Sequence, residues 1–530
     1  DRMRGEEFLT VKLYDTLRDH TPVALFPREI DYTEWQTLRR YPILNWNMGM
    51  TYRLRERDER VYPQGELARR TIGQVGDKGN YGVEYVLRDV LEGRDGKARR
   101  QRIARGFYGR VVGGDNSEPE DGLDVVTTLD LEMQDVADRA LRRQLEAQNA
   151  LWGTALVMEV ATGDLLAMAN LSRTKSGAYA EVKNHALSSR MEPGSTFKLA
   201  ALLALVDDAG MSLDETFDTG NGARVKVGRT TVQDSHGLPP LNLKDAVAHS
   251  SNVFFARAVY ETYKDDPERY VDYLRHLHLD RTVGLEEFGA VAPIFPAPGM
   301  KIWYPDVSIV NMGYGYAIEL TPLHTLTLYN AVANEGRMIS PVLVRELRRG
   351  DRVEERFESR TISSSVCSRQ TLRIVRECLQ AVCTEGTASA FFRDTTRVRV
   401  AAKTGTAQIT DARSREGRYY LGSMVAFFPA DAPRYTVLTT IETRAQAGKA
   451  YYGGPLAGPV VKRMVDYIYN RGHDWYGRVG GDGPRRYPDR MKGGDIAQIR
   501  RVADKLSPRV SFESRTGWGR VAVDSLSNVV

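Results

Sequence analysis

The order of strand-like and helix-like segments between residues 151 and 470 is the feature that most restricts how this chain can fold. Two strand-like runs, at residues 154–160 and 165–171, are joined by a tight turn. A helical segment follows at residues 196–208, with more up to about residue 390, and strand-like runs return between 398 and 441. A last helical segment is predicted at residues 459–469. Strands at both ends of a segment, with helices between them, predict one α+β domain.

The 530 residues are enough for two to four domains, and changes in composition and predicted secondary structure divide the chain into three regions. Residues 1–150 are rich in arginine and in turns, and they end in a predicted amphipathic helix at 129–147. Beyond residue 470, a Gly/Pro-rich linker precedes two weak strand-like runs. We therefore predict an N-terminal non-catalytic domain (1–150), a catalytic domain (151–470) and a C-terminal linker and tail (471–530).

Composition and charge exclude several classes of protein. Hydrophobic residues make up 42% of the chain and charged residues 27%, which excludes a fibrous or disordered protein, and no apolar run reaches the ~18 residues of a membrane span. The net charge of +5 is carried by residues 471–530, which hold 12 basic and 7 acidic residues. This tail either contacts an anionic polymer or membrane surface or is simply solvated, and it indicates no nucleic-acid role.

Three cysteines, Cys367, Cys378 and Cys383, are too few for a disulfide framework. A helix predicted at residues 369–383 separates Cys378 and Cys383 by about 140° around its axis, so we expect free buried thiols. This leaves the cellular compartment open. The sequence also lacks metal-ligand spacing and a phosphate-binding glycine loop, so no metal or cofactor is predicted.

A serine and a lysine three residues apart, Ser195 and Lys198, lie where the predicted helix at 196–208 begins. Both side chains share one helix face, and a serine beside a lysine is a nucleophile with a base if burial keeps the lysine neutral. The pattern is weak alone, because Ser172 and Lys175 have the same spacing.

Two further motifs make the pattern specific. Ser250-Ser251-Asn252 lies between two helical stretches, and Lys403-Thr404-Gly405-Thr406 lies on a predicted strand. A second match to the third motif, Lys175-Ser176-Gly177, overlaps the Ser172 pattern in a polar loop with no helix behind it. Only Ser195, Ser250 and Lys403 combine the right order, separation and local structure.

With these motifs, the chain resembles a class B penicillin-binding protein, a peptidoglycan D,D-transpeptidase. Segments at 60–68, 82–84, 91–96, 128–134, 313–315, 321–323 and 386–388 extend the resemblance over most of residues 60–470. Glu192-Pro193-Gly194-Ser195 is more similar to the division-type branch than to the elongation type. The resemblance implies a penicilloyl-serine transferase domain (β-lactamase/transpeptidase-like), an antiparallel sheet with helices on both faces, preceded by an elongated α+β pedestal domain.

The resemblance also implies a role for each motif residue. Ser195 attacks the carbonyl between the two terminal D-alanines of a stem peptide, Lys198 takes the serine proton, and Ser250 relays a proton to the departing D-alanine. Lys403 holds Ser250 and adds positive potential. Asn252 orients the side-chain amide of the bound peptide or antibiotic.

Strand residues complete the implied site. The hydroxyls of Thr404 and Thr406 receive the terminal carboxylate of the substrate, and Gly405 lets an extended peptide lie against the strand. The backbone N–H groups of Ser195 and Thr406 form the oxyanion hole. No metal or cofactor takes part.

Partners and location follow from the same resemblance. We expect stem peptides as D-Ala-D-Ala donor and amine acceptor, β-lactams as covalent inhibitors, and a SEDS-type glycan polymerase and other division proteins as partners in septal wall synthesis. We also expect an N-terminal transmembrane anchor, removed before Asp1, that holds the protein on the periplasmic side of the cytoplasmic membrane.

Two alternatives remain open. A serine β-lactamase or D,D-carboxypeptidase has the same three motifs but passes the acyl group to water, although it has no evident need for a pedestal. A β-lactam sensor or an inactive scaffold is the second alternative, and the chemically competent residue at every motif position disfavours the scaffold. The lifetime of the acyl-enzyme formed with penicillin discriminates hydrolase from transpeptidase.

Overall fold

The computed structural model describes residues 121–393, 398–410 and 417–472 without gaps, and residues 60–110 except 77–78, 98–99 and 105–106. It also describes strands at 7–14, 22–24, 50–56, 490–495, 510–514 and 518–523, together with residues 34, 37–38, 40–41, 117, 120, 497 and 501. The chain divides into two compact units, Asp1–Tyr467 and Ile468–Val530.

The strands are numbered in chain order. They are β1 Glu7–Tyr14, β2 Pro22–Ala24, β3 Met50–Glu56, β4 Arg100–Ala104, β5 Phe107–Arg110, β6 Asp124–Thr127, β7 Trp152–Glu159, β8 Leu165–Arg173, β9 Tyr179–Ala180, β10 Thr216–Phe217, β11 Val225–Val227, β12 Thr230–Val232, β13 Leu241–Asn242, β14 Met338–Ile339, β15 Val344–Arg349, β16 Arg352–Arg356, β17 Thr361–Ser363, β18 Ala401–Ile409, β19 Tyr419–Phe428, β20 Tyr435–Arg444, β21 Arg490–Asp495, β22 Val510–Ser514 and β23 Trp518–Val523.

The helices are numbered in the same way. They are α1 Arg69–Ile72, α2 Gly82–Val86, α3 Arg88–Leu91, α4 Leu131–Gln148, α5 His185–Ser188, α6 Lys198–Leu203, α7 Leu243–Ala248, α8 Asn252–Tyr263, α9 Pro267–His276, α10 Ser308–Tyr314, α11 Pro322–Ala333, α12 Arg369–Thr384, α13 Ser389–Phe392 and α14 Gly453–Arg471. Single 3₁₀ turns lie at Gly194–Phe197, Gly220–Gly222 and Glu286–Phe288, and a π turn at Ala204–Asp208 follows α6.

A six-stranded antiparallel sheet in the order β18-β19-β20-β7-β8-β9 is the centre of the first unit. The predicted strands at both ends of the 151–470 segment meet in this sheet, because β20 pairs with β7. Nearly all residues of β7, β19 and β20 are buried, so both faces of the sheet are covered. The predicted α+β domain is confirmed.

Helices cover the two faces. Helix α4 packs on one face, where a Cβ placed at Gly153 of β7 would meet Leu141 at 2.9 Å. Helix α11 packs on the other face, where Asn330 accepts a hydrogen bond from the Thr436 hydroxyl of β20 at 2.9 Å. The expected antiparallel sheet with helices on both faces is confirmed.

Helix α14 differs from its prediction. The sequence predicts a helix at residues 459–469, but α14 begins at Gly453 and continues through Pro459. Proline cannot donate to the carbonyl four residues earlier, and in the structure the Pro455 carbonyl accepts a hydrogen bond from Gln144 Nε2 at 2.9 Å. A side chain from α4 thus satisfies the carbonyl that Pro459 leaves open.

Residues on both sides of the 151–470 segment also form regular structure. Strand β6 pairs with β15, and α4 packs on β7 and β8, so the last residues before position 150 contact the sheet domain. The boundary at residue 150 stays a prediction. In the second unit, β21, β23 and β22 form a three-stranded antiparallel sheet that contains both predicted tail strands.

The state of the cysteines and the hydropathy of the helices were also predicted from the sequence. Cys367, Cys378 and Cys383 are buried and free, as predicted. None of the helices in these ranges is both long and apolar enough to cross a membrane.

Candidate active site

Ser195 lies in the 3₁₀ turn Gly194–Phe197, which leads directly into α6. Gly194 has φ +55°, a left-handed conformation that glycine adopts without strain, and its N–H donates to the Gly315 carbonyl at 3.0 Å. The hydroxyl of the buried Tyr329 donates to the Thr196 carbonyl at 2.8 Å. The turn is therefore held from two sides, and Ser195 itself is partly exposed.

Strand β18 lies against this turn. A Cβ at Gly194 would lie 2.7 Å from the Thr406 carbonyl oxygen, and a Cβ at Gly405 would lie 2.8 Å from the Thr196 side chain. Both glycines are needed for this close approach, because any larger residue would push the turn and the strand apart. The approach brings the backbone of Thr406 next to the turn that carries Ser195.

Lys198 is 1% exposed, and its ammonium group reaches the second motif. Its Nζ donates to the Ser250 carbonyl and to Asn252 Oδ1, both at 2.7 Å, and lies 3.3 Å from Ser250 Oγ. Burial lowers the pKa of Lys198 well below its usual value, the charge of Lys403 lowers this pKa further, and the Asp234 carboxylate opposes both effects.

Lys403 on β18 reaches the same serine from the opposite side. Its Nζ donates to Ser250 Oγ at 2.8 Å and to the Thr404 carbonyl at 3.1 Å. Lys403 is 1% exposed, and burial lowers its pKa from 10.5 to about 7. The Ser250 hydroxyl therefore lies between two amines that burial favours in the neutral form.

The backbone of Ser250 has φ +59°, which is uncommon for a residue other than glycine and typical of functional sites. Directly after it, Ser251 caps α8 by accepting the Phe254 N–H at 3.0 Å. The buried carboxylate of Asp234 accepts the Ser251 hydroxyl at 2.7 Å and the Asn252 N–H at 2.5 Å. The strained Ser250 therefore lies directly before the first turn of α8, whose N–H groups are bonded by the side chains of Ser251 and Asp234.

The remaining predicted residues also lie at this junction. The Thr404 and Thr387 hydroxyls are 2.7 Å apart, and Thr406 Oγ1 accepts the Gly453 N–H at 2.8 Å. Through these contacts and those of the two lysines, the structure brings all three motifs together. Chemically, this arrangement offers a serine in the turn directly before Lys198 and a second serine that contacts both lysines, which is suited to acyl transfer.

Sequence reasoning missed two residues that hold the site, Asp234 and Tyr329, because no local periodicity or motif marks either of them. Gly315 and Thr387 lie in segments 313–315 and 386–388, which extend the family resemblance, but no role was predicted for them. In the described ranges, no group of three or more His, Cys, Asp or Glu side chains is arranged to hold a metal ion.

A family model, the penicillin binding protein transpeptidase domain, matches residues 153–466. The probable peptidoglycan D,D-transpeptidase PenA of Neisseria meningitidis (strain DSM 15465 / Z2491) is 28% identical over 427 residues, which is 77% of this chain and 68% of PenA. The probable peptidoglycan D,D-transpeptidase FtsI of Caulobacter vibrioides is 28% identical over 437 residues, which is 79% of this chain and 67% of FtsI.

Solved structures show the same fold. Penicillin binding protein 3 of Mycobacterium tuberculosis, complexed with aztreonam, matches with a TM-score of 0.65 at 24% identity. The match covers 80% of this chain and 91% of the chain in that structure. Penicillin binding protein 2X of Streptococcus thermophilus matches with a TM-score of 0.70 at 18% identity, and the match covers 88% of this chain and 77% of the chain in that structure.

Proposed function

Because the chain belongs to the penicillin-binding protein transpeptidase family, we propose that it cross-links peptidoglycan stem peptides through an acyl-enzyme on Ser195. The observation that carries the proposal is the Ser250 hydroxyl, which contacts Lys198 Nζ at 3.3 Å and Lys403 Nζ at 2.8 Å. Lys198 begins the helix directly after the turn that holds Ser195. Such a pair of buried amines provides a base at neutral pH.

In the acylation step, Ser195 Oγ attacks the carbonyl carbon between the two terminal D-alanines. The neutral amine of Lys198 accepts the serine proton, the C–N bond breaks, and a proton passes through the Ser250 hydroxyl to the leaving D-alanine amine. The short contacts of both lysines with Ser250 support this relay. Asn252 orients the amide of the donor peptide, and its contact with Lys198 Nζ couples this residue to the base.

Binding and charge stabilisation come from the strand. The Ser195 and Thr406 N–H groups form the oxyanion hole, and loss of one such donor typically costs roughly 3–4 kcal/mol in the transition state. Thr404 and Thr406 receive the terminal carboxylate, and Gly405 leaves room for the extended peptide. The close approach of the turn and β18 at Gly194 and Thr406 supports this assignment.

Deacylation completes the transfer. An amine from a second stem peptide attacks the ester carbonyl, gives up a proton through the same groups, and releases Ser195 with its hydroxyl restored. The products are an amide cross-link and free D-alanine, so atoms and protons balance. A hydrolase would place water where the amine attacks.

We also propose a septal role, covalent inhibition by β-lactams, and a location outside the cytoplasmic membrane with an N-terminal anchor. The similarity to FtsI supports the role in division, and the similarity to a protein solved with aztreonam supports β-lactam binding. A SEDS-type glycan polymerase and other division proteins are the partners we expect for such a pedestal-bearing enzyme.

Incubation with a synthetic D-Ala-D-Ala donor and an amine acceptor tests the proposed reaction. We expect D-alanine release together with the cross-linked amide, and a Ser195→Ala variant with neither. Hydrolysed donor as the only product would support a carboxypeptidase instead. With penicillin, we expect an acyl-enzyme that lasts many minutes, and turnover within seconds would support a β-lactamase.

A further inference from the structure

A buried carboxylate lies behind the second motif. Asp234 follows β12, is 6% exposed, and receives three hydrogen bonds from residues 251–253. Its Oδ2 accepts the Ser251 hydroxyl at 2.7 Å, and its Oδ1 accepts the N–H groups of Asn252 at 2.5 Å and Val253 at 3.2 Å. These N–H groups belong to the first turn of α8, where the helix itself supplies no acceptor.

These bonds fix the segment that Lys198 contacts. Lys198 Nζ bonds to the Ser250 carbonyl and to Asn252 Oδ1, which lie on the two sides of Ser251. Ser250 holds a left-handed backbone that costs free energy, so something must stabilise it. The hydrogen bonds of Asp234 to the next residues provide that restraint.

Asp234 also affects the charge around Lys198. Two charged groups act on the Lys198 ammonium: Lys403 disfavours the protonated form, and Asp234 favours it. The ring of Phe255, 5.7 Å from Nζ, is the apolar neighbour on α8. Without the carboxylate, burial and Lys403 act unopposed, and the pKa of Lys198 falls further.

We propose that Asp234 is a positioning residue for acylation: its carboxylate holds residues 250–252 in the geometry that Lys198 requires and places a negative charge near Lys198 that opposes the effect of Lys403. This inference rests on the proposed function, in which Lys198 is the base. It assigns Asp234 no contact with the substrate. The proposal separates two contributions, one from the position of the carboxylate and one from its charge.

Three variants distinguish these contributions. Asp234→Asn keeps the size of the side chain but loses its charge and one of its two hydrogen-bond acceptors, whereas Asp234→Glu keeps the charge and both acceptors but displaces the carboxylate. Asp207→Asn is the matched control, because Asp207 also restrains a helix start: it accepts the Ser368 N–H at 2.9 Å and the Thr371 hydroxyl at 2.7 Å at the beginning of α12. The measurement is the rate of Ser195 acylation by fluorescent penicillin between pH 5 and 9.

For Asp234→Asn we expect acylation to slow at least about tenfold because the base is misplaced. We expect the acid limb of its pH–rate profile, where the acylation rate falls as the pH decreases, to move to lower pH. The reason is that Lys198 stays neutral to a lower pH without the carboxylate. Asp234→Glu is expected to slow acylation without moving the limb, and Asp207→Asn to change neither. A merely structural role for Asp234 would not move the limb.

An Asp234→Asn profile that matches the wild type, a slower rate with an unmoved limb, or an equal change in Asp207→Asn would overturn the proposal. Failure of the proposed function gives a different result, because the wild-type chain would then either not be acylated or pass its acyl group to water, and neither outcome depends on Asp234. Thermal unfolding of each variant identifies any that do not fold, and Asp234→Glu then carries the test of position.

Discussion

The chain contains the same serine–lysine spacing twice, in two environments. Ser172 lies near the end of β8, where its Oγ is 2.7 Å from His185 Nε2, and Lys175 lies on the exposed turn that follows. Ser195 lies in the turn before α6, and Lys198 is 1% exposed on that helix. The spacing is equal, but only the second lysine is buried.

Burial and hydrogen-bond partners, rather than spacing, therefore distinguish the lysine that we propose as the base. An exposed ammonium stays hydrated, whereas burial disfavours the charged form of Lys198 and lowers its pKa. Its Nζ also bonds to the Ser250 carbonyl and to Asn252 Oδ1, which fixes its position. Variants of the Ser195 region, with the same changes in the Ser172 region as controls, test this difference.

Removal of the proposed nucleophile has the largest expected effect. Ser195→Ala should reduce covalent labelling by fluorescent penicillin by roughly 10³-fold or more, because no ester can form. Ser172→Ala should label at the wild-type rate. Labelling measured in gels would contradict the comparison if it survived in Ser195→Ala or disappeared in Ser172→Ala.

Replacement of Lys198 and replacement of Lys175 should differ almost as strongly in their effect on the acylation rate. We expect Lys198→Met to slow acylation by roughly 10²–10⁴-fold, since the general base is lost while the apolar stem is kept. Lys175→Met, on the exposed turn, should stay within about twofold of the wild type. Stopped-flow acylation rates test this, and equal rates for the two variants would remove the distinction between the regions.

Glycines in the two regions provide a stability comparison. Gly194→Ala should lower the free energy of unfolding by roughly 2–5 kcal/mol, because φ is +55° and the new Cβ would meet the Thr406 carbonyl at 2.7 Å. Gly177→Ala, with φ +88° and no atom within 4 Å, should cost only the backbone strain of roughly 1–2 kcal/mol. Urea unfolding measures both, and equal losses would argue against the close approach.

The smallest expected effect is a change in the pH dependence of stability. Lys403 has its pKa lowered to about 7 in the folded protein, from 10.5. Between these values the unfolded chain binds more protons, so this lysine makes the free energy of unfolding rise with pH, by at most about 1.4 kcal/mol per pH unit. Lys403→Met should flatten the wild-type curve by that slope.

The exposed Lys175 is again the control, and Lys175→Met should follow the wild-type curve. Acylation should also slow in Lys403→Met, because Ser250 Oγ loses one of its two lysine contacts. A Lys403→Met curve as steep as that of the wild type between pH 7 and 10 would contradict the lowered pKa.

The fold was largely predictable because its signals are local. Strand alternation located β7, β8 and β18–β20, and helical periodicity located α4, α12 and the helix after Ser195. The start of α14 was not predictable, since the sequence does not show that Gln144 supplies the partner that Pro455 needs. Tertiary contacts decided that boundary rather than propensity.

The site was predictable at its motif residues only. Ser195, Ser250 and Lys403 are marked by order and spacing, whereas Asp234 lies in a polar segment after β12 without periodicity. Its contacts with residues 251–253 form only when the chain folds back, and Tyr329 reaches Thr196 across more than 130 residues. Restraints of this kind have no local signal.

The position of the covalent adduct after reaction of the unaltered chain with penicillin identifies the nucleophilic serine. Peptide mapping by mass spectrometry should find one acylated peptide, which contains Ser195 and Lys198, and an unmodified peptide that contains Ser172. An adduct on Ser172, or on any residue other than Ser195, would contradict the account.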